Sequence, residues 1–304
     1  MAGFISCCLV FPYVAPGRGE RDFHTSMELI LMKVSRFAGI VFLTALMAGC
    51  VTTNTTMQAL QPVTGGRPGY ALGHSPVLAA SYSYMLQPLD DAGSILYVQP
   101  FGGSATVGVL FGTLGVAANM ASINMKTKAD VLALHGKVGV DPAAVFGKVA
   151  TAKGVDIREK DADAAQITPY MYIVKQEDEQ LLIASALLIE KGQGDAKWTG
   201  KYMYELPLRY SFTQFGSPDE KQTAALRDAM TAGYAKLIDH IRYEDPQRYL
   251  QEKRIVFKTP FFAPFANVDT LGQLVDETDD MTWIRTISGV YALRKGDVSI
   301  KPQS

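Results

Sequence analysis

The sequence is poor in cysteine, and this scarcity limits the chemistry that the chain can use. Its 304 residues contain three cysteines, Cys7, Cys8 and Cys50, so none follows position 50. The region after residue 50 therefore forms no internal disulfide and offers no thiol nucleophile. A region of this length does not need a disulfide, because its core is large enough to be stable without one.

An excess of charge of either sign is also missing. The chain has 29 Lys and Arg against 30 Asp and Glu, which gives a net charge of −1. Proteins that bind nucleic acid usually show a basic surplus or a basic stripe, so we exclude nucleic acid as a partner. Apolar residues make up 48% of the chain and charged residues 19%, which is typical of a folded protein.

Motifs for nucleophilic catalysis are scarce. Gly73-His74-Ser75 begins like a nucleophile elbow, but Pro76 follows the serine and Val77 replaces the second glycine. Proline has no backbone N–H to donate to an oxyanion, so the motif does not predict a hydrolase site.

Metal-binding patterns are scarce as well. Beyond position 50 the histidines are His74, His135 and His240; we predict structural or solvated roles for His135 and His240, which lie in or beside predicted helices. One acidic cluster lacks the spacing and central glycine of a calcium loop and is predicted to be a solvated loop. It consists of Asp276, Glu277, Asp279 and Asp280. We predict no catalytic residue, no metal site and no cofactor.

The strongest pattern lies in the first fifty residues. Lys33 and Arg36 are followed by an uncharged apolar run over 37–47, and then by the small residues Ala48 and Gly49 before Cys50. This order is typical of a signal peptide. The apolar run is shorter than the roughly 20 residues that cross a bilayer, which argues against a transmembrane anchor.

Residues 32–50 resemble a bacterial lipoprotein signal peptide. The motif that carries the resemblance is the lipobox, read here as Leu46-Met47-Ala48-Gly49-Cys50, with Met47 where Leu is usual. The resemblance implies cleavage between Gly49 and Cys50, attachment of lipid to the Cys50 sulfur, and a bacterial envelope protein. The absence of Asp at position 51 implies sorting to the outer membrane, facing the periplasm.

These features divide the chain into four parts. We interpret residues 1–31 as sequence upstream of the true start at Met32, the alternative being a genuine N-terminal extension. Residues 32–49 are the signal peptide. Residues 50–74 are predicted to be the lipidated N-terminus and a flexible tether, because Thr, Gln, Gly and Pro dominate without a period. Residues 75–304 form the folded domain.

An uncharged segment over 92–125 is the most unusual part of that domain. Within it a row of small residues recurs at spacings of three or four, which places them along one side of a helix. The row consists of Ser104, Gly108, Gly112, Gly115, Ala118 and Ser122. Such a face allows helices to pack closely, so membrane insertion or self-association is one interpretation. The alternatives are a helix buried against a sheet and, because glycine weakens helices, irregular structure.

The rest of the domain reads as mixed α and β structure. Asp141-Pro142 is a helix start, and a long amphipathic helix is predicted over 219–243. Predicted strands cover 167–175, 180–190, 201–212, 254–258, 282–293 and 298–300. In the third of these, an apolar face that includes Tyr202 and Leu206 alternates with a polar face of Lys201, Glu205 and Arg209, which predicts a half-buried strand. Pro207 in the same segment predicts an edge strand or a bulge. The order predicts an α+β domain: a largely antiparallel sheet with helices packed on one face, after a lipid-anchored tether.

From these observations we predict a non-enzymatic lipoprotein of the envelope that acts as a binding, scaffold or assembly component. Its expected partners are the membrane, through the lipid anchor, and other envelope proteins; the oligomeric state stays open. One alternative is a membrane-active or self-associating protein that inserts the helix over 104–122. A lesser alternative is an envelope hydrolase.

Overall fold

The computed structural model describes residues 57–61, 69–101, 105–158, 164–194, 197–262 and 268–302. The side chains of residues 76, 105–115 and 302 lie outside that description. Residues 55–304 form one compact unit. The predicted signal peptide and lipobox, including Gly49 and Cys50, lie outside the described residues.

The described residues form six helices and one twelve-stranded sheet. The helices are α1 (Pro76–Ala80), α2 (Ala105–Leu134), α3 (Pro142–Ala152), α4 (Phe212–Phe215), α5 (Glu220–Arg242) and α6 (Pro246–Tyr249). The first six strands are β1 (Tyr70–Leu72), β2 (Leu86–Pro88), β3 (Ile95–Val98), β4 (Ile157–Arg158), β5 (Ala165–Lys175) and β6 (Gln180–Lys191). The other six are β7 (Trp198–Ser211), β8 (Lys253–Lys258), β9 (Thr270–Glu277), β10 (Met281–Thr286), β11 (Gly289–Arg294) and β12 (Ser299–Pro302).

The sheet is mostly antiparallel. Its strand order is β12-β8-β9-β10-β11-β7-β6-β5-β1-β4, with β3 beside the second half of β5 and β2 beside β3. The meander β5-β6-β7 forms the centre, and the β8 to β11 meander joins it through a parallel pairing of β11 with β7. The predicted α+β class, with a largely antiparallel sheet, is confirmed.

One face of the sheet is covered by helices. Phe146 of α3 meets Tyr234 of α5 edge to face, with ring centroids 5.6 Å apart, and both are buried against the central strands. Side-chain caps start both helices, and the cap at Asp141 was predicted from the sequence. Asp141 accepts hydrogen bonds from the backbone N–H groups of Ala143 and Ala144, and Asp219 forms a capping box at the start of α5.

The other face of the sheet holds a second core. Tyr170, Leu188, Phe257 and Tyr291 are buried there together, although five strands lie between β8 and β5 in the sheet order. The segment after β8 reaches β5, where the Gln176 Nε2 donates to the Pro260 carbonyl at 3.3 Å. The sheet is therefore strongly curved and packs on itself, and α1 adds Leu78 to this second core.

The central strand β7 is buried on both faces because of this curvature. Its predicted apolar face, which includes Tyr202 and Leu206, lies against the helices, while Met203 and Glu205 enter the opposite face. The alternating pattern predicted a half-buried strand whose polar side faces solvent. This prediction is wrong for the polar side, which is largely covered. Pro207 lies at a register shift between β6 and β7, so of the two predicted alternatives the bulge is the one found.

Much of the uncharged segment forms helix α2. Irregular structure, which was one of the predicted alternatives, is therefore not found over the residues of this helix. Its C-terminal half packs against the rest of the domain, because Ile123, Thr127 and Leu134 are buried. Toward its N-terminus the side chains emerge from the domain: Val116 is 50% exposed and Met120 is 41% exposed.

Two boundaries differ from those predicted. The strand expected over 282–293 is two strands, β10 and β11, joined by a tight turn, and β9 covers part of the acidic cluster that was predicted to be a loop. The segment predicted to be a flexible tether includes residues that join the domain, because Tyr70–Leu72 pairs with β4 and β5. Polar composition alone did not reveal this strand.

Candidate functional site

A cleft of about 220 Å³ lies where α5 ends and α6 begins, against β9 and β10. The chain turns sharply here because Tyr243 ends α5 and Asp245 caps α6, accepting from the backbone N–H of Gln247 at 2.9 Å. Pro246 is suited to the first turn of α6, where no backbone N–H is needed. This turn carries Glu244 to the base of the cleft.

Arg285 of β10 forms the base of the cleft. Its side chain is 1% exposed, and its guanidinium binds two carboxylates. The Nε donates to Glu252 Oε2 at 2.9 Å, and the Nη2 donates to Glu252 Oε1 and to Glu244 Oε1, each at 3.0 Å. The Glu244 and Glu252 side chains are 7% and 4% exposed, so all three charges are buried. Charges in such a place depend on one another, because water cannot replace a missing partner.

The two carboxylates respond differently to burial. Burial opposes the charge of Glu244, but His240 and Arg285 outweigh it and hold the pKa of that carboxyl below its usual value. For Glu252, burial prevails over the attraction of Arg285, and the pKa is raised. Burial also disfavours the charge of Arg285, yet Glu252 and Glu244 outweigh it and raise the pKa of the guanidinium.

His240 and Trp283 form an aromatic wall above this network. Their rings are stacked, with centroids 4.3 Å apart and an angle of 14° between the planes. The His240 Nε2 lies 3.7 Å from Glu244 Oε1, too far for a hydrogen bond, and makes no hydrogen bond to any described residue. The Tyr202 hydroxyl donates to Glu244 Oε2 at 2.9 Å. The wall thus leaves one buried ring nitrogen without a partner.

The network at the base carries an excess of negative charge. Among the described residues, the two carboxylates of Glu244 and Glu252 share the single guanidinium of Arg285, so these three groups together carry one negative charge in excess. Two other acidic side chains of the cleft, Asp239 and Asp276, lie beside cations of their own. Lys153 binds Asp239 at 2.6 Å, and Arg248 lies 3.7 Å from Asp276. A cationic group that enters the cleft would balance the buried charge.

Residues 57–61, which we call the N-terminal strap, form one side of the cleft. The Gln58 backbone N–H donates to the Thr286 carbonyl at 2.9 Å, and its side-chain Oε1 accepts from the Lys201 backbone N–H at 2.8 Å. Arg285 Nη1 donates to the Gln58 carbonyl at 3.4 Å, and Leu60 lines the cleft. The segment nearest the predicted lipidation site therefore touches the base of the cleft.

A second buried carboxylate lies on the other side of β7. Glu205 is 1% exposed, binds Arg209 Nη2 at 2.7 Å and accepts the Arg294 backbone N–H at 2.9 Å. Arg209 also binds Asp297. Burial raises the pKa of Glu205 to about 7, the Arg294 N–H opposes the shift, and Asp297 adds to it. This carboxyl titrates near neutral pH but does not line the cleft.

The small-residue face predicted on the uncharged segment does not reach the cleft. Ser104 lies outside the described residues. Gly108, Gly112 and Gly115 lie within α2 in a part where only the backbone is described, while Ala118 is exposed and Ser122 is partly exposed. In the part of the chain that the structure describes, no helix is both long enough and apolar enough to cross a bilayer.

Sequence reasoning did not find the residues of the cleft. His240 was assigned a structural or solvated role, and the structure places it in the cleft wall. One indication was present in the sequence: Arg285 follows Trp283 at strand spacing, so a charge occupies a core-facing position of an apolar strand. A buried arginine requires partners, but their positions along the chain were not indicated.

Known proteins provide no template for this cleft. No family model, no curated protein and no solved structure matches the chain. Within the described ranges, no group of three or more His, Cys, Asp or Glu residues is placed to hold a metal ion.

Proposed function

We propose that this protein is a lipid-anchored component of the bacterial envelope that binds a segment of another envelope protein in the cleft above Arg285. The anchor is Cys50, and the site of action is the outer membrane, facing the periplasm. Both follow from the lipoprotein resemblance of residues 32–50. The protein acts as a binding, scaffold or assembly component and not as an enzyme.

The buried excess of negative charge carries the proposal. Two carboxylates and one guanidinium at the base of the cleft attract a further cation, and the stacked rings of His240 and Trp283 provide a flat face beside it. Aromatic faces attract ammonium and guanidinium groups within about 6 Å of the ring. The expected occupant is therefore a Lys or Arg side chain of a partner protein.

The ion pairs in the cleft favour binding over acid–base chemistry. A general acid or base must exchange a proton with a substrate, and its charge must be free to change. Glu244 and Glu252 are held by Arg285, and Asp239 is held by Lys153. Fixed pairs of this kind hold the cleft in one shape before the partner arrives, which reduces the entropic cost of binding.

Site-specific crosslinking tests the proposal. The photoreactive residue p-benzoylphenylalanine replaces Tyr243, which lines the cleft, and cells are irradiated before the envelope proteins are analysed. A matched variant carries the same residue in place of Leu132, which is 80% exposed on α2. Leu132 is two residues from Leu134, which approaches Gly216 just before the start of α5. The cleft lies at the other end of α5, a helix about 34 Å long.

We expect a protein adduct from position 243 and none of the same mass from position 132. Mass spectrometry should map the adduct to a partner segment that contains Lys or Arg. Equal adducts at both positions, or none at position 243, would contradict the proposal.

The exposed half of α2 favours one second candidate, a membrane-active or self-associating protein. Val116 and Met120 are exposed on a helix that carries no charge before Lys126. For this candidate, the mature chain with Cys50→Ser should aggregate without detergent, and Val116→Ser with Met120→Ser should restore a monodisperse protein. A monodisperse parent protein would count against it.

A further inference from the structure

An exposed surface beside the cleft combines apolar and basic side chains. Tyr243, Leu250 and Ile287 are 70%, 76% and 65% exposed, which is unusual for large apolar residues. Tyr243 and Tyr249 both line the cleft, the Tyr249 ring lies 5.1 Å from Arg285, and Ile287 follows Arg285 by two residues. Leu250 directly follows Tyr249, so these positions in the chain place the three apolar residues at the end of the domain that holds the cleft, and we call this region the α6 surface.

The acidic and basic side chains around α6 lie mostly on different sides: two carboxylates face the protein interior, and the basic groups face solvent. Glu244 and Glu252 turn inward and bind Arg285, so they do not face solvent. Among the residues over 242–254, the exposed charges are four basic ones and one acidic one: Arg242, Arg248, Lys253 and Arg254, with Asp245. Asp276 of β9 lies 3.7 Å from Arg248, and with this carboxylate counted the exposed charges of the α6 surface are still positive in sum, although the sequence over 242–254 is nearly neutral.

The N-terminal strap binds beside this surface and, in the sequence, lies a few residues after the predicted lipid anchor. Gln58 binds the carbonyl of Thr286, the residue before Ile287. Six residues lie between Cys50 and Met57, and the seven steps from one to the other span at most about 3.6 Å each in an extended chain, or about 25 Å in all. Because the strap is bound beside this surface, the length of the intervening chain sets an upper limit on the distance between the surface and the anchor.

We propose that the α6 surface rests on the bilayer that holds the lipid anchor. The inference relies on the anchoring of Cys50 and deepens the proposed function, because it places the cleft at the membrane surface. Tyrosine and leucine side chains enter the interfacial region of a bilayer, and arginines bind anionic headgroups. The occupant of this surface is an anionic phospholipid bilayer. The cleft then opens beside the bilayer, since Tyr243 belongs to both.

Lipid-borne quenching measures this contact. The protein is purified in its lipidated form with Leu250→Cys, labelled with a bimane fluorophore, and reconstituted into vesicles of phosphatidylethanolamine and phosphatidylglycerol that carry nitroxide lipids. Cys50 does not compete for the label if it is acylated, and no other cysteine follows it. The matched control is Leu132→Cys, since Leu132 and Leu250 are 80% and 76% exposed. A third variant, Met120→Cys, reports the exposed half of α2.

We expect strong quenching at position 250, weak quenching at positions 120 and 132, and a loss of quenching at position 250 when Arg248→Gln and Arg254→Gln are added. Each arginine near an anionic surface contributes about a fivefold change in membrane partition. Equal quenching at positions 250 and 132, or quenching at position 120 alone, would overturn the proposal.

Attachment of the protein to the membrane through Cys50 is measured separately in the same samples. Flotation of the lipidated protein with vesicles, and its loss in Cys50→Ser, reports anchoring. Absence of flotation would overturn both the anchor and the bilayer contact. Flotation without quenching at position 250 would overturn the contact alone, and crosslinking at position 243 would still decide the partner-binding function.

Discussion

Removal of the Arg285 guanidinium is the perturbation that the structure predicts most sharply. Arg285→Met keeps an unbranched side chain of similar reach and leaves Glu244 and Glu252 buried without their cation. The guanidinium makes hydrogen bonds of 2.9 and 3.0 Å to Glu252 and of 3.0 Å to Glu244, and these side chains are at most 7% exposed. Breaking a buried pair by removing one partner costs about 3–5 kcal/mol.

The free energy of unfolding from urea titrations measures this cost. The mature chain with Cys50→Ser serves as the parent, and we expect Arg285→Met to lower its free energy of unfolding by about 3–5 kcal/mol at neutral pH. The loss should be smaller at lower pH, because the unpaired carboxyls are stabilised by binding protons in the folded state.

Two controls separate the buried network from a general effect of removing an arginine. Arg248→Met removes an exposed arginine that lies 3.7 Å from Asp276, and we expect a change of at most about 1 kcal/mol. The triple variant Arg285→Met, Glu244→Gln and Glu252→Gln removes all three charges and should recover much of the loss, since an uncharged replacement avoids unpaired buried ions. A loss below about 1 kcal/mol for Arg285→Met would refute this reasoning.

Three further predictions concern other parts of the domain. Burial raises the pKa of Glu205 to about 7, above its value in the unfolded chain, so the free energy of unfolding should fall as pH rises through about 7, by up to about 3 kcal/mol; Glu205→Gln should remove this component in urea titrations at several pH values. Gly233→Ala should destabilise the protein by about 1 kcal/mol or more, because a Cβ there would lie 2.9 Å from the Ser185 hydroxyl, whereas Gly147→Ala on α3 meets no atom within 4 Å and should raise the melting temperature through helix propensity. Gln58→Ala should cost about 1 kcal/mol and speed proteolysis within the N-terminal strap, because it removes the acceptor for the Lys201 backbone N–H.

Local patterns predicted much of the fold. The helix starts at Asp141 and Asp219 depend on side chains that bond to backbone a few residues away, so the sequence contains all the necessary partners. The apolar face of β7 followed from its period of two. These predictions are confirmed. They could be made from the sequence because each depends only on residues that are neighbours in the chain.

The second core was missed for the opposite reason. The polar side of β7 looked solvent-exposed, yet β8 and the residues after it fold back over the sheet and bury Glu205. The curvature of a sheet follows from the twist and packing of all its strands, and no short pattern encodes it. Glu205 was therefore expected to face solvent.

The residues that form the cleft network are even farther apart in the sequence. Arg285 binds Glu252, 33 residues away, and Glu244, 41 residues away, and it also contacts Gln58, 227 residues away. A charge at a core-facing strand position shows that partners must exist, but only the fold identifies them. Of the site residues predicted from the sequence, Gly49 and Cys50 lie outside the described residues, and those described along α2 do not belong to this network.

The effect of Glu252→Gln on crosslinking at position 243 tests the binding function most directly. This change removes the excess negative charge, while Arg285 and Glu244 remain as a balanced pair and the glutamine oxygen still accepts a hydrogen bond. The account predicts that the yield of the partner adduct falls about tenfold or more, because a charge-assisted contact is worth about 1.5–3 kcal/mol, while urea titration shows a folded protein. An unchanged adduct yield in the folded variant would contradict the account.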